Sequence, residues 1–258
     1  MKHSFIDKYS NLDSPVHRID PRVKLVAVFS VIVIIVSEAP GAVFPFIFYG
    51  AIIALLILVS RIPPAYIMKR CLIASPFILL AALFYPVSSL IGHGYQAFDI
   101  NNPEVKAGLT ILLKGFMALI LLILLTSTEK FHNLLLGLRK LKMPRLLGVI
   151  SALMYRYVFI IHDEMLRTTR ARDSRTPGKL NISRLKVYGN QSAMIFLRSL
   201  ERSQIIYNSM LSRGFNGEFP GMHSLSLRAI DVIAATVFVM LVLSVRLTNS
   251  IVNCYLFN

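Results

Sequence analysis

Five apolar stretches, at about 22–38, 42–60, 71–91, 105–128 and 230–247, divide this 258-residue chain. Each approaches the roughly 20 residues that a helix needs to cross the hydrocarbon of a bilayer. Lipid offers no partner to a bare N–H or C=O, so runs of this length have to be helices. Composition agrees: 55% of the residues are hydrophobic and the mean hydropathy is +0.63, against about 45–50% apolar residues in a soluble domain. The expected fold is an all-α integral membrane protein with about five transmembrane helices, and the lipid bilayer is its first partner. A formal charge of +15 would suggest nucleic acid for a soluble chain. In a membrane protein it is first a question of which loops carry it, and nucleic acid is not expected as a partner.

The loops divide that charge unequally. Of the 28 Lys and Arg, five fall in residues 1–24, three in 61–70 and seventeen in 129–228. Only Lys106, Lys114 and Arg246 belong to the other side or to the spans. The positive-inside rule then puts the N-terminus in the cytoplasm and the C-terminus outside. The first 22 residues lack the apolar core and small-residue site of a cleaved leader, so no removal is expected. Asp20 is placed to cap the first span, with Pro21 at its first position. Pro76 and Pro86 are expected to kink the third span. The turn-rich residues 92–104 lead into the fourth. Lys114 inside the fourth span has two readings, an ion-path residue or a side chain snorkelling to the outer interface, and its place near the start of the span favours snorkelling. These signals divide the chain into N-terminal spans at 1–128, a cytoplasmic insert at 129–228, and a last span with its tail at 229–258.

The insert is neither a hydrophilic linker nor a soluble domain. Residues 131–142 place Leu134, Leu135, Leu138 and Leu141 on one side before Pro144. From 145 to 172 the apolar residues Leu147, Ile150, Met154, Val158, Ile161 and Met165 recur every three or four positions, the period of a helix with one apolar face. Arg156 would sit in hydrocarbon if this helix crossed the membrane, at about 2.5–3.5 kcal/mol on insertion scales. A helix lying along the interface is the expected arrangement. Thr176-Pro177-Gly178 ends it. A third amphipathic run, 191–213, carries Ser192, Ser199 and Ser203, at spacings that suit either a close helix crossing or a face toward water. Gly214, Asn216-Gly217 and Pro220-Gly221 stop it.

Both long runs close on the same kind of triplet, Ala171-Arg172-Asp173 and Ser212-Arg213-Gly214. An arginine beside a small residue at a helix end presents a rigid, permanently charged fork that can reach carboxylates or carbonyls in a groove. Singly, either arginine would merely complement a helix dipole; the duplication within one insert points instead to a pair of docking tips.

Other motifs are missing. No GxxxxGK[ST] run is available to cradle nucleotide phosphates. The six histidines show no ligand spacing, and Cys71 and Cys254 form neither a CxxC pair nor a disulfide framework. His162-Asp163-Glu164 is the one tight cluster that a membrane-embedded lipid-modifying enzyme would have to use. Successive helical positions point about 100° apart and do not converge. A stand-alone carrier would need inverted repeats and ionisable residues in several spans.

The Ser14-Pro15-x-His17-x-x-Asp20-Pro21-Arg22-x-Lys24 signal, Leu138-Arg139-x-Leu141-x-x-Pro144, Met154-Tyr155-Arg156-Tyr157 and the two triplets together resemble the transmembrane T component of energy-coupling factor transporters, of the CbiQ type of the cobalt and nickel systems. The resemblance spans nearly the whole chain. It implies a non-enzymatic coupling subunit in a prokaryotic plasma membrane, with no cofactor of its own and with ATP used by partners. The implied partners are two ATP-binding cassette subunits and a membrane substrate-binding subunit. The triplets would be the coupling motifs at the tips of two crossed cytoplasmic helices, with Arg172 and Arg213 each docking into one ATPase. Asp173 stands where many relatives carry glycine, and Ser212 where many carry alanine. Cobalt or nickel is the implied cargo; a T component serving another micronutrient such as a vitamin is the alternative.

Overall fold

The computed structural model describes residues 14–38, 44–93, 103–175, 185–217 and 228–256. Within them the elements are helices α1 (Pro21–Val36), α2 (Phe44–Ser60), α3 (Pro64–His93), α4 (Pro103–Thr128), α5 (Phe131–Lys140), α6 (Arg145–Arg175), α7 (Leu185–Ser212) and α8 (Ala229–Leu256), preceded by a 3-10 turn at Pro15–Arg18. The stretch 94–102, the breakers Pro177-Gly178 and Pro220-Gly221, and residues 1–13 lie outside the described residues. Two compact units divide the chain, one containing α6 and α7 (Leu138–Ser224), the other α1 to α4, most of α5, and α8.

The sequence signals set the helix ends. The Asp20 carboxylate accepts the Arg22 N–H at 2.9 Å, and Pro21 takes the first helical position. Ahead of it, Ser14 Oγ and His17 Nδ1 are hydrogen-bonded at 2.6 Å across the 3-10 turn. Two boundaries differ from expectation. Helix α3 starts at Pro64 rather than near Cys71, so Lys69 and Arg70 belong to its first turns, and it runs through Pro76 and Pro86 without a break. Helix α8 continues to Leu256, which makes most of the expected tail helical. Both extensions add polar residues to an apolar run, which hydropathy ignores but a hydrogen-bonded backbone tolerates.

In the membrane unit α4 is the central post, touching α1, α2 and α3, while α8 closes against α1 and α2. Val31, Ile34 and Ile35 of α1 meet Phe46, Tyr49 and Ile53 of α2, Leu121 of α4 and Val242 of α8 in one buried cluster. Helices α3 and α4 approach closely at Gly115, where a Cβ would fall 2.9 Å from Ile78 Cγ2. Phe29, Leu58 and Phe77 are each at least 70% exposed, the surface that a lipid solvent requires. By length and composition α3, α4, α6 and α8 can each cross a membrane, and α2 is a shorter apolar helix.

Helix α1 has 16 residues, about 24 Å, short against a hydrocarbon core of about 30 Å. Its last carbonyls therefore need donors from its neighbours. Lys114 Nζ on α4 donates to the Val36 carbonyl at 2.9 Å and the Glu38 carbonyl at 2.6 Å. Arg246 of α8 donates to Ser37 Oγ at 2.9 Å, and the Tyr49 hydroxyl donates to Glu38 Oε1 at 2.6 Å. Lys114 thus caps α1 rather than snorkelling to the interface.

Candidate functional site

Helices α6 and α7 carry the two arginine triplets and lie antiparallel. Glu164 accepts from Arg198 at 2.7 Å, Gln191 donates to Thr168 and Thr169, and Arg172 donates to Gln191 Oε1 at 2.8 Å, so partner numbers rise on one helix as they fall on the other. Polar side chains thus join the last turns of α6 to the first turns of α7. Further along the pair, Ile150 and Met154 face Ile206 and Met210 across a cleft of about 820 Å³. The apolar stripe read from the sequence is therefore open: Ile150 and Met154 are each more than half exposed.

An antiparallel pair sends its two C-termini to opposite ends. The run from Arg145 to Arg172 and the return from Tyr188 to Arg213 separate the two triplets by roughly 40 Å along the helix axes, at 1.5 Å per residue. One helix pair thus carries the two arginine triplets at opposite ends.

The ends themselves are built differently. Arg213 follows the last residue of α7 and is exposed. Phe215 N–H donates to the Met210 carbonyl at 3.0 Å and Gly214 N–H to Leu211 at 2.9 Å, the paired bonds of a Schellman stop. Gly214 has φ +76°, a left-handed conformation that a Cβ makes costly. The expected glycine stop is present, and the Arg213 N–H donates to the Met210 carbonyl at 3.1 Å while its guanidinium makes no hydrogen bond or ion pair among the described residues. Ala171 and Ser212 are exposed, and the Ser212 hydroxyl donates back to the Asn208 carbonyl.

Arg172 is instead enclosed. Its Nε and Nη2 both donate to Asp173 Oδ1, at 3.1 and 2.8 Å, its Nη1 donates to Gln191, and its guanidinium lies 4.2 Å from the centre of the Tyr188 ring. Its side chain is 17% exposed and that of Asp173 64%. Sequence reasoning found the arginine and the aspartate but not Tyr188 and Gln191, which lie across the hairpin. The only available signal was an aromatic and an amide at the start of the next amphipathic run. Of the three serines considered for a helix crossing, Ser199 and Ser203 line the cleft and Ser192 is exposed. All three hydroxyls donate to carbonyls of α7 itself.

The membrane unit contains a second polar centre that the sequence did not announce. Lys24 Nζ donates to Glu129 Oε1 at 2.5 Å, and both side chains are less than 10% exposed. Asp20 N–H donates to Asp231 Oδ2 at 3.3 Å, drawing in the first turn of α8. Burial pushes the Glu129 carboxyl above its ordinary range, while the Lys24 charge pulls it back. These contacts tie the start of α1, the α4–α5 junction and the start of α8 together.

The chain matches the model of the CbiQ family, a cobalt transport protein family, over residues 13–225. It belongs to the CbiQ family. The chain is 25% identical to an uncharacterized protein of Methanocaldococcus jannaschii over 238 residues, covering 88% of this chain and 80% of that protein. Similarity extends to energy-coupling factor transporter transmembrane proteins EcfT. The protein of Macrococcus caseolyticus is 25% identical, over 83% of this chain and 85% of its own length. That of Bacillus subtilis is 24% identical, over 84% and 86%. The CbiQ match takes in α1 through α7, and α8 lies beyond it. This chain is a transmembrane component of an energy-coupling factor type of transporter, and its apolar helices make it a membrane protein.

Proposed function

We propose that this chain is the coupling subunit of an ATP-driven importer for cobalt or nickel in a prokaryotic plasma membrane. In this reading α6 and α7 lie along the cytoplasmic face of the bilayer. Their two tips contact two ATP-binding cassette subunits, and the membrane helices hold a separate substrate-binding membrane subunit. The observation that carries the proposal is the antiparallel α6–α7 pair with one arginine triplet at each end. Polar contacts between its helices resist sliding, so a displacement imposed at the tips is passed on instead of being absorbed.

The interfacial placement of α6 rests on charge, since by length the helix could also cross a membrane. Arg156 interrupts its apolar part, and Glu164 and Thr168 are already engaged by α7; a bilayer-crossing helix would bring these groups into hydrocarbon at a cost of several kcal/mol. The cytoplasmic N-terminus follows from the same topology, in which the Lys- and Arg-rich segments share one side. Chemical energy enters through the partners, since the sequence has no phosphate-binding loop. A transition-metal cargo accords with the family's description as cobalt transport proteins.

Replacing Arg172 and Arg213 together by alanine tests this function. The expected outcome is loss of ATPase co-purification and of radiolabelled cobalt or nickel uptake, with membrane insertion intact. Undiminished uptake in the double variant would sink the proposal.

A further inference from the structure

The two triplets share a central arginine and differ in what they present. At the second, Arg213 is exposed beyond the last turn of α7, and Gly214 adds no side chain beside it. At the first, Asp173 Oδ1 takes two of the Arg172 donors, Gln191 takes a third, and Tyr188 covers the guanidinium. Little of the arginine is left for a partner. Asp173 is 64% exposed, and its Oδ2 accepts no hydrogen bond among the described residues.

We infer that Asp173, and not Arg172, is the side chain the first triplet offers to its partner, and that the surface receiving it carries a cationic side chain. The inference rests on the reading of both tips as ATPase contacts. Arg172 is then a positioning residue: its planar fork bolts the end of α6 to the start of α7 and holds the aspartate facing outward. Lysine would not do this, because it has neither the fork nor a plane to stack on Tyr188. Arg170, Arg175 and Lys186 are exposed around the same end, so the long-range field stays positive and still draws the helix pair to an acidic partner. The aspartate sets the close contact. The two receiving surfaces therefore differ in sign, acidic for Arg213 and basic for Asp173, which gives the helix pair one orientation on two ATPase subunits instead of two interchangeable ones.

Two measurements on the full chain test this. In the first, the detergent-solubilised protein is treated with phenylglyoxal and adducts are quantified by mass spectrometry. Arg172 is expected to react about tenfold more slowly than Arg213, consistent with its fork being occupied. Tyr188→Ala should raise Arg172 labelling while Tyr188→Phe preserves the protection, with Arg213 labelling unchanged as the control for folding. Equal labelling of the two arginines in the unaltered protein would overturn the inference.

In the second, the chain is co-expressed with the ATP-binding subunits of its own genome and captured by affinity tag. Asp173→Lys is expected to reduce ATPase capture about tenfold or more, since it replaces an attraction by a like-charge contact. Capture that is unchanged or improved would show that the cation is the contacting group and would overturn the inference. Arg213→Glu is run in parallel. If it also leaves capture untouched, the ATPase-docking reading itself fails, and the labelling result still decides whether Arg172 is enclosed.

Discussion

The membrane unit and the α6–α7 pair both use ion pairs to join helices, and the two settings give those pairs different weights. Lys24 and Glu129 are each less than 10% exposed, so each charge depends on the other to offset the loss of water. Arg198 and Glu164 meet at nearly the same distance but are 54% and 26% exposed, where water and salt compete for both. The buried pair makes the bundle intolerant of losing either partner. The exposed pair adds a contact between two helices that water and salt weaken.

The contrast is broken first at Lys24. Lys24→Met leaves Glu129 buried without its counter-charge and is expected to destabilise the protein by about 3–5 kcal/mol, read as a fall in thermal unfolding temperature in detergent. Adding Glu129→Leu to the same protein is expected to recover most of that loss. If the single and double variants unfold alike, the pair does not act as a unit.

Gly214→Val should cost less, about 1–2 kcal/mol, from placing a β-branched residue in a left-handed conformation. No neighbour lies within 4 Å of the position a Cβ would take, so the whole cost is backbone strain. The effect should appear as faster hydrogen exchange confined to the last turn of α7, with exchange in α4 unchanged. The smallest effect is expected at Glu164→Gln, below about 1 kcal/mol and vanishing in high salt. A salt-insensitive loss there would show that this pair is shielded in the assembled protein.

The α6–α7 pair also shows how far local sequence can be trusted. Its helices, their apolar stripe and the Gly214 stop were readable because each depends on residues three or four positions apart. The register of the two helices was not, since several serines and apolar residues offered similar crossing points. The structure joins them through Gln191, Tyr188 and Arg198 instead. In the same way Leu138 and Leu141, expected on the apolar side of α5, are about 40% exposed, while Leu136 is buried. An amphipathic pattern only weakly specifies which of two neighbouring positions faces inward when a helix is ten residues long.

Lys114 makes the same point within the bilayer. Hydropathy treats a lysine in a span as a cost to be relieved by snorkelling. The shortness of α1 creates a demand for donors at its end, and Lys114 on α4 answers it. Arg172 is the counterpart in α6, an arginine whose triplet suggested a bare tip and whose position across from Tyr188 encloses it.

What the sequence by itself determined are features whose energies are local or additive: apolar runs long enough for a bilayer, the Asp20 cap, the Gly214 stop, and the family resemblance. What only the tertiary structure decided are pairings between distant residues, Lys24 with Glu129, Lys114 with the end of α1, and Arg172 with Tyr188 and Gln191. A charged side chain in a sequence shows that it needs a partner. Which partner it finds depends on the packing of helices that bring residues a hundred positions apart within hydrogen-bond reach.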